Sequence, residues 1–301
     1  MKAVITYKNA DLDCVASAYA YSEFLNKTGQ QSSYYIRGVV QKEVDIVAAL
    51  FEINLDRSER SLEGDDIVVV DTNTYSSIDY VDKAQIVEVI DHHPLSEDVY
   101  ENAVMDVQQI GAVCTIIAER FKESNIPISR ESAILLYYGI VSNTVNFKSK
   151  VTTEKDIEIS EWLKTQCRDI DETLIERIFR EKSKFDLNDL RDVMEVEEPF
   201  KLGDQQLIIG QLELVDAEDF LSQNKPRIDE VCDAVQKEKK IPTIFINIID
   251  ILNGYHIIYT PYKETQTFLH DNYGFTFKDK QYKEPAIVLR KEIKKALREK
   301  K

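Results

Sequence analysis

Acidic and imidazole side chains follow three apolar segments in the first third of the chain. They are Asn9, Asp11 and Asp13 near the end of residues 3–7, Asp71 after residues 67–70, and Asp91, His92 and His93 after residues 86–90. Apolar segments of this length are typical of buried parallel strands, whose carboxyl ends meet at one edge of a sheet. Because neighbouring strands lie about 4.8 Å apart, we expect these side chains to converge.

Such a group of side chains favours a metal site. Carboxylates gathered at one edge repel each other unless a cation neutralises them. A mixture of carboxylate and imidazole suits Mn²⁺, Co²⁺, Fe²⁺ or Mg²⁺ better than a metal that prefers thiolates. Two ions sharing Asp71 as a bridge, about 3.5–4 Å apart, would clamp a phosphoryl group. The helix predicted after Asp13 would add a favourable field for phosphate.

A structural interpretation of each residue alone stays open. A single aspartate after a strand is more often a turn former or a helix cap than a ligand, and Asp13 would be a cap by preference. His92 and His93 could be polar surface residues. The coincidence of three strand ends that carry acids is what favours the metal site.

The elements that must position these residues alternate between strand and helix, which predicts an α/β fold with a parallel sheet covered on both faces. The predicted strands are residues 3–7, 33–36, 67–70 and 86–90, and the predicted helices are residues 15–26, 42–51, 111–122, 130–141, 154–165 and 172–181.

The 301 residues suit two domains. A charged stretch with few strand formers predicts a linker at residues 184–192, between an N-terminal domain of residues 1–183 and a smaller C-terminal α/β domain of residues 193–301. In the second domain we predict strands 206–214, 243–249, 255–259 and 287–289, helices 217–222, 227–239 and 291–300, and a hairpin connection at residues 250–254.

Composition narrows the classes of function. The formal charge of −16 argues against a broad nucleic-acid interface, although it does not exclude a small anionic substrate. No segment is apolar enough to span a membrane, and the start of the chain does not resemble a signal peptide, so we expect a cytoplasmic protein. The cysteines are far apart in sequence and predict reduced thiols; they are Cys14, Cys114, Cys167 and Cys232. A homodimer formed through an edge strand is possible.

Short motifs occur along the chain in a specific order. Residues 7–13 (YKNADLD) resemble H-x-N-P-D-x-D, residues 71–73 (DTN) resemble D-x-N, residues 91–93 are DHH, and residues 142–147 (SNTVNF), followed by Thr152 and Thr153, resemble S-D-T-x-x-F. In the second half, residues 209–213 (IGQLE), 250–253 (DILN) and 289–291 (LRK) resemble IGQVE, D-I-L-N and S-R-K. The ordered set resembles the DHH phosphoesterases, and within them the family II, manganese-dependent inorganic pyrophosphatases.

This resemblance implies an activity and a set of site residues. It implies hydrolysis of pyrophosphate or a short polyphosphate by metal-activated water, with Mn²⁺ as the metal (Co²⁺ or Mg²⁺ as alternatives) and the two domains closing over the substrate in a cleft between them. It assigns metal ligation to Asp11, Asp13, Asp71, His92 and Asn143, catalytic roles to Asp91 and His93, and substrate contacts to Asn73, His93, Arg290 and Lys291.

The sequence departs from the family pattern at three positions. Tyr7 stands in place of a metal-binding histidine, and Asn143 stands in place of a ligand aspartate and offers only an uncharged amide oxygen. Glu198 occupies a position where a lysine is expected. We therefore expect weaker metal binding and altered or feeble activity.

Two other functions stay open at this point. A phosphodiesterase acting on small nucleotides is one, although the second half has no GGGH-type segment of the kind found in the nuclease branch of the superfamily. The other is a noncatalytic protein that binds a phosphorylated ligand or a protein partner, for which the departures at Tyr7, Asn143 and Glu198 are the evidence.

Overall fold

The computed structural model describes residues 1–98, 100, 102–195, 199–203 and 205–299. The chain divides into two compact units, Met1–Ile178 and Phe179–Lys301. Among the described residues, no helix combines the length and the apolar character needed to cross a membrane.

The first unit contains a five-stranded sheet in which every neighbouring pair is parallel. The strands are β1 (Lys2–Ile5), β2 (Ser32–Tyr35), β3 (Asp66–Val70), β4 (Ile86–Asp91) and β5 (Val104–Val107), in the spatial order β2-β1-β3-β4-β5. The apolar residues of β1 and β3 are fully buried, as strands covered on both faces must be. The predicted parallel sheet is confirmed. In this order the strand ends that lead to Asp11, Asp71 and Asp91 are neighbours.

Helices of the first unit begin where the predicted ones do, within a few residues. They are α1 (Leu12–Lys27), α2 (Lys42–Leu50), α3 (Val113–Glu123), α4 (Arg130–Asn143) and α5 (Glu154–Gln166), while α6 (Leu174–Lys182) crosses the boundary between the units; short 3₁₀ turns occupy Tyr75–Ser77 and Lys83–Gln85. Helices α1, α3 and α4 pack against one another, and α4 is buried along nearly its whole length. This packing fixes the start of α1 beside the end of α4.

A mixed sheet forms the second unit. Its strands are β6 (Phe200–Leu202), β7 (Gln205–Leu214), β8 (Thr243–Asp250), β9 (Tyr255–Tyr259) and β10 (Gln281–Glu284), in the order β10-β9-β8-β7-β6, and its helices are α7 (Leu190–Glu195), α8 (Ala217–Lys239), α9 (Lys263–Tyr273) and α10 (Arg290–Glu299), with a 3₁₀ turn at Leu187–Asp189. Only β7 and β8 are parallel among these pairs. The hairpin predicted between β8 and β9 is confirmed.

The alternation of side chains along β7 and β8 divides the core of this unit between the two faces of the sheet. Ile208 and Ile244 belong to one apolar cluster, which α7 and α8 complete. Leu207 and Phe245 belong to the other, which includes residues of α9 and α10. The period of two in these strands therefore buries both faces.

Some of the predicted elements were wrong. We predicted two helices at residues 217–222 and 227–239, but α8 is continuous and contains Pro226. Its apolar residues, among them Leu221 and Ile228, are buried on both sides of the proline, and this burial outweighs the lost backbone hydrogen bond. The strand predicted at residues 287–289 does not form; the carbonyl of Val288 instead accepts a hydrogen bond from Asn247 Nδ2 (2.7 Å).

Several short elements were not predicted, namely β5, β6, α7, α9 and β10. Strand β5 has only four residues, and Val104 and Met105 are exposed, so it lacks the buried apolar pattern of its neighbours. The segment for which we predicted a linker contains a 3₁₀ turn and the start of α7, where Leu190 is buried. The assignment of domains at residues 183 and 193 stays a prediction.

Gly139 permits the close packing of α4 against α3. A Cβ atom at this position would lie 2.5 Å from Cys114 Sγ and 3.5 Å from the Cβ of Ala16. Any larger side chain must therefore push α4 away from its neighbours, and Asn143 lies one turn further along the same helix.

We expect Gly139→Ala to lower the free energy of unfolding by about 1–3 kcal/mol, because the overlap with Cys114 outweighs the gain of roughly 1 kcal/mol that alanine brings to a helix interior. Chemical denaturation measures this difference. In a Cys114→Ala background the sulfur is gone, so the same substitution should cost less than half as much. A Gly139→Ala variant as stable as the wild type would contradict the steric explanation.

Candidate metal centre

Asp71 lies directly after β3 in the left-handed backbone region (φ +62°). This conformation is uncommon for a residue with a side chain, although aspartate tolerates it better than most. It is held by a hydrogen bond from the Asp71 amide to the carbonyl of Ile90 (2.9 Å). The side chain is buried, and its Oδ2 accepts a hydrogen bond from the Tyr7 hydroxyl (3.3 Å). Its Oδ1 has no hydrogen-bond partner among the described residues.

Asp91, the last residue of β4, organises the segment that follows it. Its Oδ1 accepts hydrogen bonds from the backbone amides of His92 (2.7 Å) and His93 (3.1 Å) and from His93 Nδ1 (2.9 Å). Its Oδ2 accepts from Asn73 Nδ2. Both oxygens are therefore engaged within the protein, and the carboxylate fixes the backbone of His92 and the imidazole ring of His93.

The two histidines differ in exposure. The His92 side chain is only 4% exposed, and its Nδ1 lies 2.9 Å from the carbonyl of Ile110, which can only accept a hydrogen bond, so Nδ1 carries the proton. His92 Nε2 then presents its lone pair 3.3 Å from Asp71 Oδ1. The His93 side chain is 43% exposed and can reach a ligand from solvent.

One ligand atom from each of Asp71, Asp91, His92 and His93 lies within 4.8 Å of the others. The unpartnered buried oxygen of Asp71 and the lone pair of His92 Nε2 are the donor types that a divalent cation of intermediate hardness prefers. A divalent ion fits this cluster, because it would satisfy a buried oxygen that the described residues leave unpaired.

The two acids at the start of α1 serve as helix caps. Asp11 is the N-cap of α1, where its Oδ1 accepts a hydrogen bond from the amide of Cys14 (3.0 Å). Asp13 lies inside α1 but accepts from the amides of Val113 (2.9 Å) and Cys114 (2.7 Å), in the first turn of α3. Asp13 thus acts as a cap, as considered above, but on α3 and not on its own helix. The predicted ligand roles of Asp11 and Asp13 stay predictions.

Buried negative charge dominates the electrostatics of the cluster. Burial raises the pKa of Asp13 to about 8, and the charge of Asp71 adds to the effect. Burial also raises the pKa of Asp71 well above its usual value, and the negative charge of Asp11 raises it further. Asp91 differs: burial would raise its pKa, but hydrogen bonds and the charge of His93 lower it below its usual value. A cation bound beside Asp13 and Asp71 would therefore be stabilised by their negative charge.

Asn143, the last residue of α4, directs its amide nitrogen toward the acids. Its Nδ2 donates to the carbonyl of Gly111 (2.8 Å) and to Asp13 Oδ2 (3.1 Å), and it lies 3.5 Å from His92 Nε2. We predicted a metal-binding role for its amide oxygen. That role stays a prediction; in the structure the amide nitrogen donates to two acceptors, Gly111 O and Asp13 Oδ2.

Asn73 makes hydrogen bonds within the protein, and its predicted contact with the substrate stays a prediction. Its side chain is buried, its Nδ2 donates to Asp91 and to the carbonyl of Pro94 (3.1 Å), and its Oδ1 accepts from the amide of Ser96 (2.6 Å). Both ends of the amide are therefore bonded within the protein, where they hold the segment after β4 in place.

The remaining predicted residues belong to the second unit. Arg290 begins α10, and its backbone amide donates to Gln211 Oε1 (2.5 Å); Lys291 is exposed. Their roles as phosphate-binding residues stay predictions. Glu198 lies outside the described residues.

Sequence reasoning missed one buried acid beside the site. Asp156 accepts hydrogen bonds from Gly111 N (3.0 Å), Thr115 Oγ1 (2.6 Å) and the backbone and hydroxyl of Thr153 (both 2.7 Å). A Cβ at Gly111 would lie 2.6 Å from Asp156 Oδ2, so glycine is required there. Asp156 thereby fixes the carbonyl of Gly111 that receives Asn143. The T-x-x-D spacing of residues 153–156 is a capping-box signal that could have revealed it.

Comparison with known proteins gives consistent results. The model of the DHH family, N-terminal domain, matches residues 2–140. A Clostridium acetobutylicum protein described as a probable manganese-dependent inorganic pyrophosphatase is 26% identical over 95% of this chain and 93% of its own length. A Bacillus velezensis protein of the same description is 27% identical over 83% of this chain and 82% of its own length.

Solved structures show the same fold. A Methanococcus jannaschii protein described as a candidate family II inorganic pyrophosphatase superposes with a TM-score of 0.77 at 22% identity, over 100% of this chain and 99% of that chain. An exopolyphosphatase-related protein from Bacteroides fragilis gives a TM-score of 0.51 at 15% identity, over 99% and 92% of the two chains. The predicted combination of a parallel-sheet domain and a second α/β domain is confirmed.

We expect Asp91→Ala to lower the free energy of unfolding by about 2–4 kcal/mol, because the amides of His92 and His93 and the Asn73 side chain lose their acceptor. The pKa of Asp91 is lowered in the folded state, so the stability it provides is present above its unfolded value of about 3.9 and is lost as the pH falls through the folded value. The difference between variant and wild type should therefore narrow below about pH 4, as denaturation at several pH values would show.

Glu97→Ala is the matched control for Asp91→Ala, since Glu97 is an exposed acid in the segment after β4. It should change the free energy of unfolding by no more than about 0.5 kcal/mol at any pH. Equal effects of the two substitutions would contradict the organising role assigned to Asp91.

Proposed function

We propose that this protein, whose residues 2–140 match the model of the DHH family, N-terminal domain, is a metal-dependent hydrolase of phosphoric anhydrides. Pyrophosphate or a short polyphosphate is the proposed substrate, in line with the described activity of the relatives that span nearly the whole chain. The observation that carries the proposal is the buried Oδ1 of Asp71, which has no hydrogen-bond partner in the described part of the chain, beside the lone pair of His92 Nε2.

The residues proposed to hold the metal are Asp71 and His92, with Asp11 and Asp13 nearby. Mn²⁺ is the proposed ion, with Co²⁺ or Mg²⁺ as alternatives, because relatives are described as manganese-dependent and the ligand set mixes imidazole with carboxylate. A divalent ion bound there supplies Lewis-acid chemistry, which polarises phosphoryl oxygens and acidifies water.

His93 is the proposed catalytic residue, and it also contacts the substrate. Its side chain is 43% exposed, and its Nδ1 lies 2.9 Å from Asp91 Oδ1, so Nε2 is the nitrogen that remains for a ligand from solvent. In the imidazolium form, which carries a proton on both nitrogens, the ring would donate a hydrogen bond from Nε2 and stabilise negative charge developing on a phosphoryl oxygen. We propose that Asp91 and Asn73 act by positioning this ring, since their polar atoms are engaged within the protein.

Binding of the substrate is proposed to involve Arg290 and Lys291 at the start of α10. The substrate is a small phosphorylated anion and not a nucleic acid, because a net charge of −16 opposes an extended polyanion. We further propose a linker at residues 184–192. We propose a cytoplasmic location, which the four free, buried cysteines support. We also propose a homodimer that pairs the exposed edge strand β5.

A noncatalytic protein that binds a phosphorylated ligand is the second candidate. The specific observation in its favour is that Tyr7 and Asn143 present hydrogen-bond donors to Asp71 and Asp13. This candidate predicts ligand binding without phosphate release. The phosphodiesterase alternative predicts release from dinucleotides and not from pyrophosphate.

Purified protein with Mn²⁺ should release phosphate from pyrophosphate or tripolyphosphate, and Asp71→Asn should lower the apparent affinity for Mn²⁺ at least about tenfold, because the buried oxygen loses its formal charge. Isothermal titration measures the affinity and a phosphate-release assay measures the activity. No release from either substrate at saturating Mn²⁺ would favour the noncatalytic candidate.

The control for this experiment is Asp79→Asn. Asp79 is an exposed acid that pairs with Lys8 (2.8 Å), so the substitution removes the same charge without touching the cluster. Its affinity for Mn²⁺ and its rate should equal those of the wild type within about twofold. A loss as large as that of Asp71→Asn would show that net charge, and not the site, governs metal binding.

A further inference from the structure

Two side chains of the cluster donate hydrogen bonds where the sequence pattern led us to look for metal ligands. The hydroxyl of Tyr7 lies 3.3 Å from Asp71 Oδ2. The hydroxyl is the donor of this pair, because the oxygen of a carboxylate accepts. The Nδ2 of Asn143 lies 3.1 Å from Asp13 Oδ2. In both contacts the side chain therefore supplies a hydrogen-bond donor to the carboxylate.

Both oxygens of the Asp13 carboxylate accept hydrogen bonds from the protein. Its Oδ1 accepts from the amide of Cys114 (2.7 Å), and its Oδ2 accepts from the amide of Val113 (2.9 Å) and from Asn143. An ion at Asp13 Oδ2 would have to displace the Asn143 amide, which a second hydrogen bond to the carbonyl of Gly111 (2.8 Å) holds in place.

Asp156 makes that displacement harder. It fixes Gly111 through the Gly111 amide (3.0 Å) and is itself fully buried. The acceptor of the Asn143 amide therefore belongs to a rigid network and not to a mobile loop. Asp13 and Asn143 are thus engaged in hydrogen bonds within the protein.

The other acid, Asp71, has the reverse character. Asp71 Oδ1 is buried without a hydrogen-bond partner among the described residues, and His92 Nε2 lies 3.3 Å from it. Two acceptors at this distance repel unless a cation or a proton lies between them. An octahedral ion with bonds of about 2.1 Å places adjacent ligand atoms about 3 Å apart, which matches this separation.

We infer that the cluster binds a single divalent ion, at Asp71 Oδ1 and His92 Nε2, and that the Tyr7 hydroxyl and the Asn143 amide take the place of a second ion by neutralising Asp71 and Asp13 with hydrogen-bond donors. This inference rests on the proposed function only in taking the same site to bind a metal. It replaces the two bridged ions expected from the strand-end pattern with one.

The experiment counts ions in the full-length protein. Mn²⁺ is titrated calorimetrically, the metal retained after desalting is measured by elemental analysis, and the electron paramagnetic resonance spectrum distinguishes isolated Mn²⁺ from a coupled pair. We expect one ion per chain and the spectrum of an isolated ion. Two ions per chain, or a coupled-pair spectrum, would overturn the inference.

Variants test whether the two donors are the cause. Tyr7→His combined with Asn143→Asp replaces both donors with ligand atoms and should raise the stoichiometry from one ion to two. Tyr7→Phe removes a donor without adding a ligand and should leave it at one. Asn146→Asp adds the same charge as Asn143→Asp at a position three residues further along, and it should also leave the count at one. A double variant that folds by circular dichroism but still binds one ion would refute the assigned role of the donors.

Failure of this inference is distinguishable from failure of the proposed function. Two ions with phosphate release would overturn the single-ion inference and leave the hydrolase proposal standing. One ion without release from pyrophosphate or tripolyphosphate would support the inference and overturn the hydrolase. The absence of any bound ion would overturn both. The stoichiometry of the wild type decides the inference even if the double variant does not fold.

Discussion

The structure of the first unit depends on how it neutralises carboxylates that the fold buries at one edge of the parallel sheet. Asp13, Asp71 and Asp91 are each buried, and each is treated differently. Asp91 is surrounded by donors, and Asp13 lies at the first turn of α3, whereas one oxygen of Asp71 has no hydrogen-bond partner among the residues that the structure describes. Since an unpaired buried acid is costly, this difference is what makes the edge of the sheet a place for a cation and not simply a polar turn.

The donors that neutralise these acids come from parts of the chain far from them in sequence. Asn143 ends α4, the amides that bind Asp13 begin α3, and Tyr7 follows β1. Their positions depend on the packing of α1, α3 and α4, in which Gly139 allows close approach, and on the buried Asp156 network around Gly111. The electrostatics of the site are therefore set by the helical layer as much as by the strand ends.

The sequence predicts well what periodicity and strand ends determine. The parallel sheet follows from apolar segments that lead into acids, and the convergence of Asp71, His92 and His93 follows from their positions on neighbouring strands. It could not reveal that Asp13 binds a helix about one hundred residues away in sequence, or that Asn143 turns its nitrogen inward, because both depend on tertiary contacts. Short elements such as β5 and a proline within α8 were misjudged because burial, and not local propensity, decides them.

The left-handed backbone of Asp71 has a consequence for how this position can change. Asparagine adopts that conformation as readily as aspartate, and its side-chain oxygen could still receive the Tyr7 hydroxyl. The chain trace thus does not itself demand an ionised group here; a neutral amide would serve the architecture equally. A single substitution of Asp71 by asparagine could therefore remove the charge and weaken cation binding while the fold is kept.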